Sequence, residues 1–520
     1  MKKILCGAVA AAMAISMMAG CGGSNDSSSK TESGGSSEAK VTSLVYGSGA
    51  DPRGLDTALV DDNESAKATM QIYECLLKYK EDSTEVEPCL AERWDISEDG
   101  LTYTFKLRQG VKFHDGTDFN AEAVKFNVDR QTVNKTEDMP YADFVFGTVA
   151  ECNVVDDYTV EIVLKQKNTA FLANMAMCFG APIVSPTACK ENGGSLLEKP
   201  VGTGPYKFVS WSKDDRVVLE RYDDYWGEKG KCDQIIIKTI PDASAKINAL
   251  TTGEVDVIDG IDTTMVEQLN ADSNINVDLT DGMNINYMAY NTTRLDKETR
   301  VALSQAVNVD ELVKSLYDGY ASKATTILPS FLPGYSDKVT QVAYDPDTSK
   351  ETLAKKGVTE VKVITYSNDR PYNTATGKTL AEAIIGYFEK VGVKADVSTF
   401  DWTTYKDKII AGDYDVCFYG WNGDNGDPDN FLNLLSDDDP SMNVARFNDE
   451  KFNEYISTGI ATASGEERNA IYAEAEQYVA DEAAWLPISH QQNITANRSN
   501  IKGFKYHPTA TVYLANVEKN

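Results

Sequence analysis

Basic residues are scarce in this chain. Fifty Lys and Arg face eighty Asp and Glu, giving a formal net charge of −30 over 520 residues. A nucleic-acid partner requires clustered cations against its phosphates, so this balance excludes that class. Histidine is scarcer still, with three in all. There is no His-Glu-x-x-His stretch and no Gly-x-Ser-x-Gly elbow, so two common hydrolase arrangements are missing. An exported hydrolase would have to rest on a carboxylate pair, and nothing marks one. Nine Cys occur without any Cys-x-x-Cys spacing, so neither a thiolate metal site nor a cofactor is expected. Beyond residues 1–20 no apolar run is long enough to span a bilayer.

What is present begins with a targeting segment. Lys2 and Lys3 precede an apolar, Ala- and Met-rich run over residues 4–18, and Met18-Ala19-Gly20-Cys21 closes it. The short run and its small-residue exit read as a signal peptide over residues 1–20. A Cys at the cleavage point resembles the lipobox of bacterial lipoproteins, which would make Cys21 the lipid-bearing N-terminus. An ordinary signal peptide with an incidental Cys is the alternative. Residues 22–40 are mostly Ser, Gly, Thr and charged residues, too polar to bury a core, and read as a tether. Cys6 leaves with the signal and Cys21 goes to lipid. Cys75, Cys89, Cys152, Cys178, Cys189, Cys232 and Cys417 remain, an odd number. Most are expected as buried thiols, with Cys178 and Cys189 a disulfide candidate.

Residues 41–520 suffice for two or three domains. Residues 41–46 read as a first strand and 66–77 as a helix. Residues 101–108 alternate strictly and read as a half-buried strand. Asn120 reads as a helix N-cap. His114 sits in a His-Asp-Gly turn and is expected to be satisfied by local backbone. Two Gly and two Pro in Lys199-Pro200-Val201-Gly202-Thr203-Gly204-Pro205-Tyr206 mark a rigid crossing. No Gly-Lys-Ser/Thr follows it, so it is not a phosphate loop.

Two stretches carry the functional reading. Residues 414–419 form an apolar run expected as a buried strand, and the Gly-, Asn- and Asp-rich residues 420–431 read as a loop with Trp421 at its mouth. Upstream, residues 361–366 read as a strand and Ser367-Asn368-Asp369-Arg370-Pro371-Tyr372-Asn373 as a turn. A helix with Leu380, Ile384, Phe388 and Val391 on one face follows, and then a strand over 393–397. That is a β-α-β unit, so Arg370 and Asp424 both follow strand ends, where α/β proteins bind ligands. A guanidinium fork suits a carboxylate and a carboxylate accepts from an ammonium, which together suggest a zwitterionic ligand. A solvated Asp-rich loop and a surface Arg fit the same spacing. Asp424, Asp427 and Asp429 also suggest calcium, but the EF-hand pattern fails: Gly426 and Pro428 are misplaced and no Glu closes the loop.

Several motifs then point one way. They are Pro88-Cys89-Leu90-Ala91-Glu92-Arg93-Trp94, Thr102-Tyr103-Thr104-Phe105-Lys106-Leu107-Arg108 and Val111-Lys112-Phe113-His114-Asp115-Gly116, followed by Gly202-Thr203-Gly204-Pro205-Tyr206 and Asp224-Tyr225-Trp226-Gly227. Through them the chain resembles the extracellular peptide-binding lipoproteins of bacterial ABC importers, solute-binding protein family 5. Gly423-Asp424-Asn425-Gly426-Asp427-Pro428-Asp429-Asn430 and Arg370-Pro371-Tyr372-Asn373 look like the dipeptide binders of that family. The chain departs from the pattern at Ala123 and around residues 47–54.

The resemblance implies an α/β, two-lobed periplasmic-binding-protein-like fold of class II type, with an extra α/β domain on the first lobe. Domain I would take 41–64, 197–283 and 487–520, domain II 65–196, and domain III, the ligand-clamping lobe, 284–486. It implies a binding protein rather than an enzyme. Arg370 would hold a peptide carboxylate and Asp424 its amine, with Gly423 beside them and Trp421, Trp402 and Tyr372 lining the side-chain pocket. The implied partners are a dipeptide or short peptide, ABC permease subunits and the membrane through the lipid, the chain acting as a monomer on the extracytoplasmic face. Oligopeptides, haem and metal chelates are alternative ligands of the same fold.

Overall fold

The computed structural model describes residues 41–520. The expected signal peptide, Cys21 and the tether therefore lie outside the described residues. Val41–Asn520 forms a single contact unit.

A twelve-stranded sheet runs through that unit. From one edge come Lys394–Phe400, Glu360–Tyr366, Val416–Asn422 and Asn284–Tyr290. Trp485–Arg498 follows, then Val257–Asp259, Ser43–Ser48, Gln234–Thr239, Arg216–Arg221 and Tyr206–Ser212, and Ile275–Asp281 and Ala321–Lys323 also pair with Trp485–Arg498. Trp485–Arg498 joins the two halves. Trp485 pairs with Ala289 at its start, and Asn497 with Val257 near its end. Most of this strand is buried although Ser489, His490, Gln491 and Asn493 interrupt its apolar character. The interruption is absorbed locally. His490 Nδ1 lies 2.5 Å from the Asn284 carbonyl, the Gln491 amide donates to Asn284 Oδ1 at 2.7 Å, and Asn284 Nδ2 donates to the Gln491 carbonyl at 3.0 Å. Buried polar groups are tolerated when paired in this way.

A separate antiparallel sheet holds Ala91–Ile96, Thr102–Leu107, Thr159–Leu164 and Val149–Asp156 in that order. Thr102–Leu107 alternates half-buried and buried, as its sequence pattern requires. Phe105, Phe113, Val124 and Ile162 form the core beneath it. A different core, with Ile285, Tyr287, Val363, Ile384 and Phe418, fills the half of the large sheet built from residues 284–422.

The β-α-β unit is present: Glu360–Tyr366 and Lys394–Phe400 pair in parallel across the helix Gly377–Lys390, whose Leu380, Ile384 and Phe388 are buried. Asn120 caps the helix Ala121–Gln131, its Oδ1 accepting from the Ala123 amide at 3.0 Å.

Four expectations need correction. The first helix runs Asn63–Ile72, not to residue 77. Tyr73 is extended there because the backbone of Gly202 and Gly204 packs onto the Ile72 carbonyl, where a Cβ would fall 2.2 and 2.8 Å from that oxygen. His114 is not satisfied locally, since its Nε2 lies 2.9 Å from the Gly204 carbonyl and burial lowers its pKa to about 4. The disulfide candidate fails, since Cys178 and Cys189 are both free; the wider expectation of buried thiols holds, with every cysteine from Cys75 onward free and all but Cys178 buried. The stretch 420–431 is not wholly loop either. The strand continues through Asn422, and Asp429–Leu432 is a helical turn with Pro428 at its N-cap.

Candidate functional site

Val416–Asn422 pairs in parallel with Glu360–Tyr366, so the two strands end on the same side of the sheet. The turns that follow them carry Arg370 and Asp424.

The first turn is held firmly. Arg370 and Asn373 exchange backbone hydrogen bonds of 2.9 and 2.8 Å. Asn373 accepts from the Tyr317 hydroxyl at 2.8 Å and donates to the Tyr366 hydroxyl at 3.0 Å. The Arg370 guanidinium lies 3.9 Å above the centre of the Trp402 ring, a cation–π contact that leaves its donors available. Arg370 Nε and the Tyr372 hydroxyl have no partner. Trp402 packs against Tyr419 at 5.4 Å, and Tyr419 stacks on Tyr372 at 6.4 Å. Tyr372 itself is buried over Gly420, where a Cβ would come within 2.2 Å of its ring. Trp402 and Tyr372 thus form a platform supporting Arg370.

The second turn is organised by Asn430, which the sequence reading did not single out. Its Oδ1 accepts from Trp421 Nε1 at 2.8 Å and from the Asp424 amide at 2.9 Å, and its Nδ2 reaches Asp424 Oδ2 at 3.4 Å. Trp421 lies in the strand and braces the turn from behind. Gly423 is required by close approach: its amide donates to the Met283 carbonyl at 2.8 Å, and a Cβ would meet Phe431 and Met283 within 3 Å. The half-buried Asp424 accepts from the Tyr141 hydroxyl at 2.9 Å, a partner 283 positions away. Burial raises its pKa, opposed by the hydrogen bonds from Tyr141 and Asn430.

A cavity of about 350 Å³ opens here, lined by Gly423, Asp424, Pro371, Tyr141, Asn493 and Tyr506 among others. The turns of Arg370 and Asp424 therefore meet at one space. Pro371 rather than Arg370 borders it, and Trp421, Trp402 and Tyr372 stand outside its lining.

The remaining acids of the loop have another occupation. Arg468 forms a bidentate pair with Asp427 at 2.7 and 2.8 Å, and its Nη2 lies 3.3 Å from Asp429. Tyr472 donates to Asp429 as well. Burial and the neighbouring Asp427 push Asp429 up to about 7. The calcium reading fails on this geometry, because both carboxylates already serve a buried guanidinium. Among the described residues no cluster of three or more His, Cys, Asp or Glu is placed to hold a metal ion.

Several of the sequence motifs converge elsewhere, on Glu74. Thr203 Oγ1 and Trp226 Nε1 each donate to one of its oxygens at 2.8 Å, and the Tyr225 hydroxyl donates to the other at 2.7 Å. Cys89 Sγ lies 3.8 Å from that second oxygen. Glu74 borders a larger cavity of about 540 Å³.

Residues 85–443 match the family described as bacterial extracellular solute-binding proteins, family 5. The chain is 32% identical to "Heme-binding protein A" of Haemophilus influenzae, with 96% of each chain covered. It is also 32% identical to "Dipeptide-binding protein" of Escherichia coli, covering 92% of this chain and 95% of that one. Among solved structures, the periplasmic binding protein DppA from Helicobacter pylori in complex with peptide STSA superposes with a TM-score of 0.71 at 31% identity. That match covers 92% of this chain and 98% of the other. The mixed α/β architecture is the two-lobed binding-protein fold these proteins share, and the chain belongs to the bacterial extracellular solute-binding proteins of family 5.

Proposed function

We propose that this protein captures dipeptides outside the cytoplasm and delivers them to an ABC permease, Asp424 taking the peptide amine and Arg370 its carboxylate. The observation that carries the reading is the state of Asp424. Its carboxylate faces a cavity with one short hydrogen bond and one of 3.4 Å, so it keeps the capacity to accept from an ammonium. Arg370 supports it with a guanidinium held over the Trp402 ring, in the turn that lends Pro371 to the same cavity. A peptide extends at most about 3.3–3.6 Å per residue, so two fixed end clamps measure its length. Main-chain ends would carry recognition, leaving the side chains free to vary. In this reading Cys21 bears the lipid, residues 22–40 form the tether, and the monomer acts by closing domain III, residues 284–486, on domains I and II. It binds and releases its ligand unchanged and is not an enzyme.

Haem is the second reading, favoured by the name of the Haemophilus influenzae relative. None of the three histidines lines the cavity beside Asp424, so no imidazole is placed there to ligate a haem iron.

Calorimetric titration of refolded, ligand-stripped protein tests the proposal, using Ala-Ala, Ala-Ala-Ala, N-acetyl-Ala-Ala and Ala-Ala-amide. Tight binding of Ala-Ala alone is expected. Equal binding of the tripeptide would move the function to oligopeptides, and binding of the capped forms would remove the assigned roles of Asp424 or Arg370.

A further inference from the structure

The loop that carries Asp424 also touches the far side of the cleft. Three consecutive residues do so. Asp424 accepts from Tyr141, Asn425 Nδ2 donates to Asn174 Oδ1 at 2.6 Å, and Gly426 is held from both sides. The Gly426 amide donates to the Tyr79 hydroxyl at 3.2 Å, and its carbonyl accepts from Thr84 Oγ1 at 2.9 Å. All four partners come from residues 79–174, whereas the loop belongs to the half of the large sheet formed by 284–422. Asn425, Thr84 and Asn174 are at most 3% exposed, so this part of the seam is buried.

A second contact flanks it. Thr169 donates through its amide to Ile460 and through its hydroxyl to Thr462, at 3.1 and 2.8 Å.

Gly426 is the tightest point. A Cβ there would lie 2.2 Å from Thr84 Cβ, closer than any packing tolerates. Its φ is not positive, so the need for glycine comes from the approach of the opposing chain and not from its own backbone. Behind the seam, Arg468 clamps Asp427 and Asp429, so the loop cannot yield backwards without breaking a buried ion pair.

We infer that Gly426 and Thr84 are positioning residues for ligand capture: their contact fixes how closely the two sides shut and so brings Asp424 and Tyr141 together around the peptide amine. This rests on the dipeptide reading, which it deepens by making amine recognition and cleft closure properties of one loop.

Gly426→Ala tests it in the full chain. Ala-Ala affinity is expected to fall by about tenfold or more. The melting temperature without ligand is expected to hold, because an opened cleft removes the collision. The discriminating variant is Gly426→Ala combined with Thr84→Gly, which removes the opposing Cβ along with the hydroxyl's hydrogen bond to the Gly426 carbonyl, and is expected to bind at least about threefold more tightly than Gly426→Ala alone. A defect confined to the loop's own half would not respond to a change across the cleft. Parental affinity in Gly426→Ala, or no recovery in the double variant, overturns the inference.

A ligand-independent measurement separates the two readings. Asn174→Cys with Asn425→Cys is oxidised to form a disulfide crosslink across the seam, each single variant serving as control against the native thiols. Crosslinking in the double variant, with no Ala-Ala affinity in the parental chain, would remove the dipeptide reading and leave the seam standing. Ala-Ala affinity without crosslinking would remove the seam and leave the dipeptide reading standing.

Discussion

Glu74 and Asp424 are both half-buried carboxylates beside a cavity, and burial raises the pKa of both. They differ in their partners. Glu74 receives three side-chain donors at 2.7–2.8 Å, from Thr203, Tyr225 and Trp226. Asp424 receives one short hydrogen bond, from Tyr141, and one long one, from Asn430. A carboxylate has about four acceptor sites, so Glu74 is close to saturated and Asp424 is not. The first is occupied in holding the fold together, and the second keeps acceptor capacity. The presence of a buried acid therefore says little about function; its remaining hydrogen-bond capacity says more.

Substitutions at the two acids should pull binding and stability apart. Asp424→Ala should weaken Ala-Ala binding by about 2–5 kcal/mol, roughly 30- to several-thousand-fold. Its urea midpoint should stay near the parental value, and calorimetry with urea melts reads both. Glu74→Ala should do the reverse. It orphans three donors at about 1–3 kcal/mol each, an upper bound because the cavity admits water. The urea midpoint should fall clearly while Ala-Ala affinity stays within a few-fold. If Glu74→Ala abolished binding in a folded protein, the division of labour between the two acids would collapse.

Titration sharpens the same contrast. The folded protein holds the Asp424 proton more tightly than the ordinary value of 3.8 allows. Stability from this group is therefore fully present below 3.8 and is lost as pH rises through the raised value. Binding an ammonium needs the ionised form, so Ala-Ala affinity should rise with pH over that window and level off above it. Asp424→Asn should bind weakly and lose that rise.

The smallest expected effect on peptide binding is at Glu476. Its Oε1 accepts the Ile327 and Leu328 amides at 3.0 Å while Oε2 has no partner, and burial raises its pKa to about 8. Its contribution to stability is full below 4.5 and fades as pH rises through 8. Glu476→Gln should flatten that decline, measured as melting temperature against pH, without changing peptide affinity.

Local pattern made much of the scaffold legible. The 3.6-residue spacing of Leu380, Ile384 and Phe388 gave a helix, and the alternation across residues 102–107 gave a strand. Arg370 and Asp424 were reachable because each follows an apolar strand by a few residues. Their supports were not. Tyr141 lies 283 positions from Asp424, Arg468 lies 41 from Asp427, and Glu74 lies 129 from Thr203. Such pairings leave no periodic trace, since sequence distance is unrelated to spatial distance once the chain crosses between sheets. The packing of Trp421, Trp402 and Tyr372 was hidden for a related reason. An aromatic beside a ligand loop packs as readily behind the site as in it, and these three side chains brace the two turns.

Trp485–Arg498 carries a further consequence. Its early residues pair with Asn284–Tyr290 and its later ones with Val257–Asp259 and Ile275–Asp281. Side chains alternate faces along any strand, so a single inserted residue turns every later one over. An insertion between Ser489 and Gln492 would leave Trp485 and Leu486 in place and send Ile494 and Ala496, both buried, to the opposite face. Residues 485–498 should accordingly be the part of the chain least able to change length. Loop insertions elsewhere could enlarge the cleft, but this segment sets a fixed ruler between the two halves of the sheet.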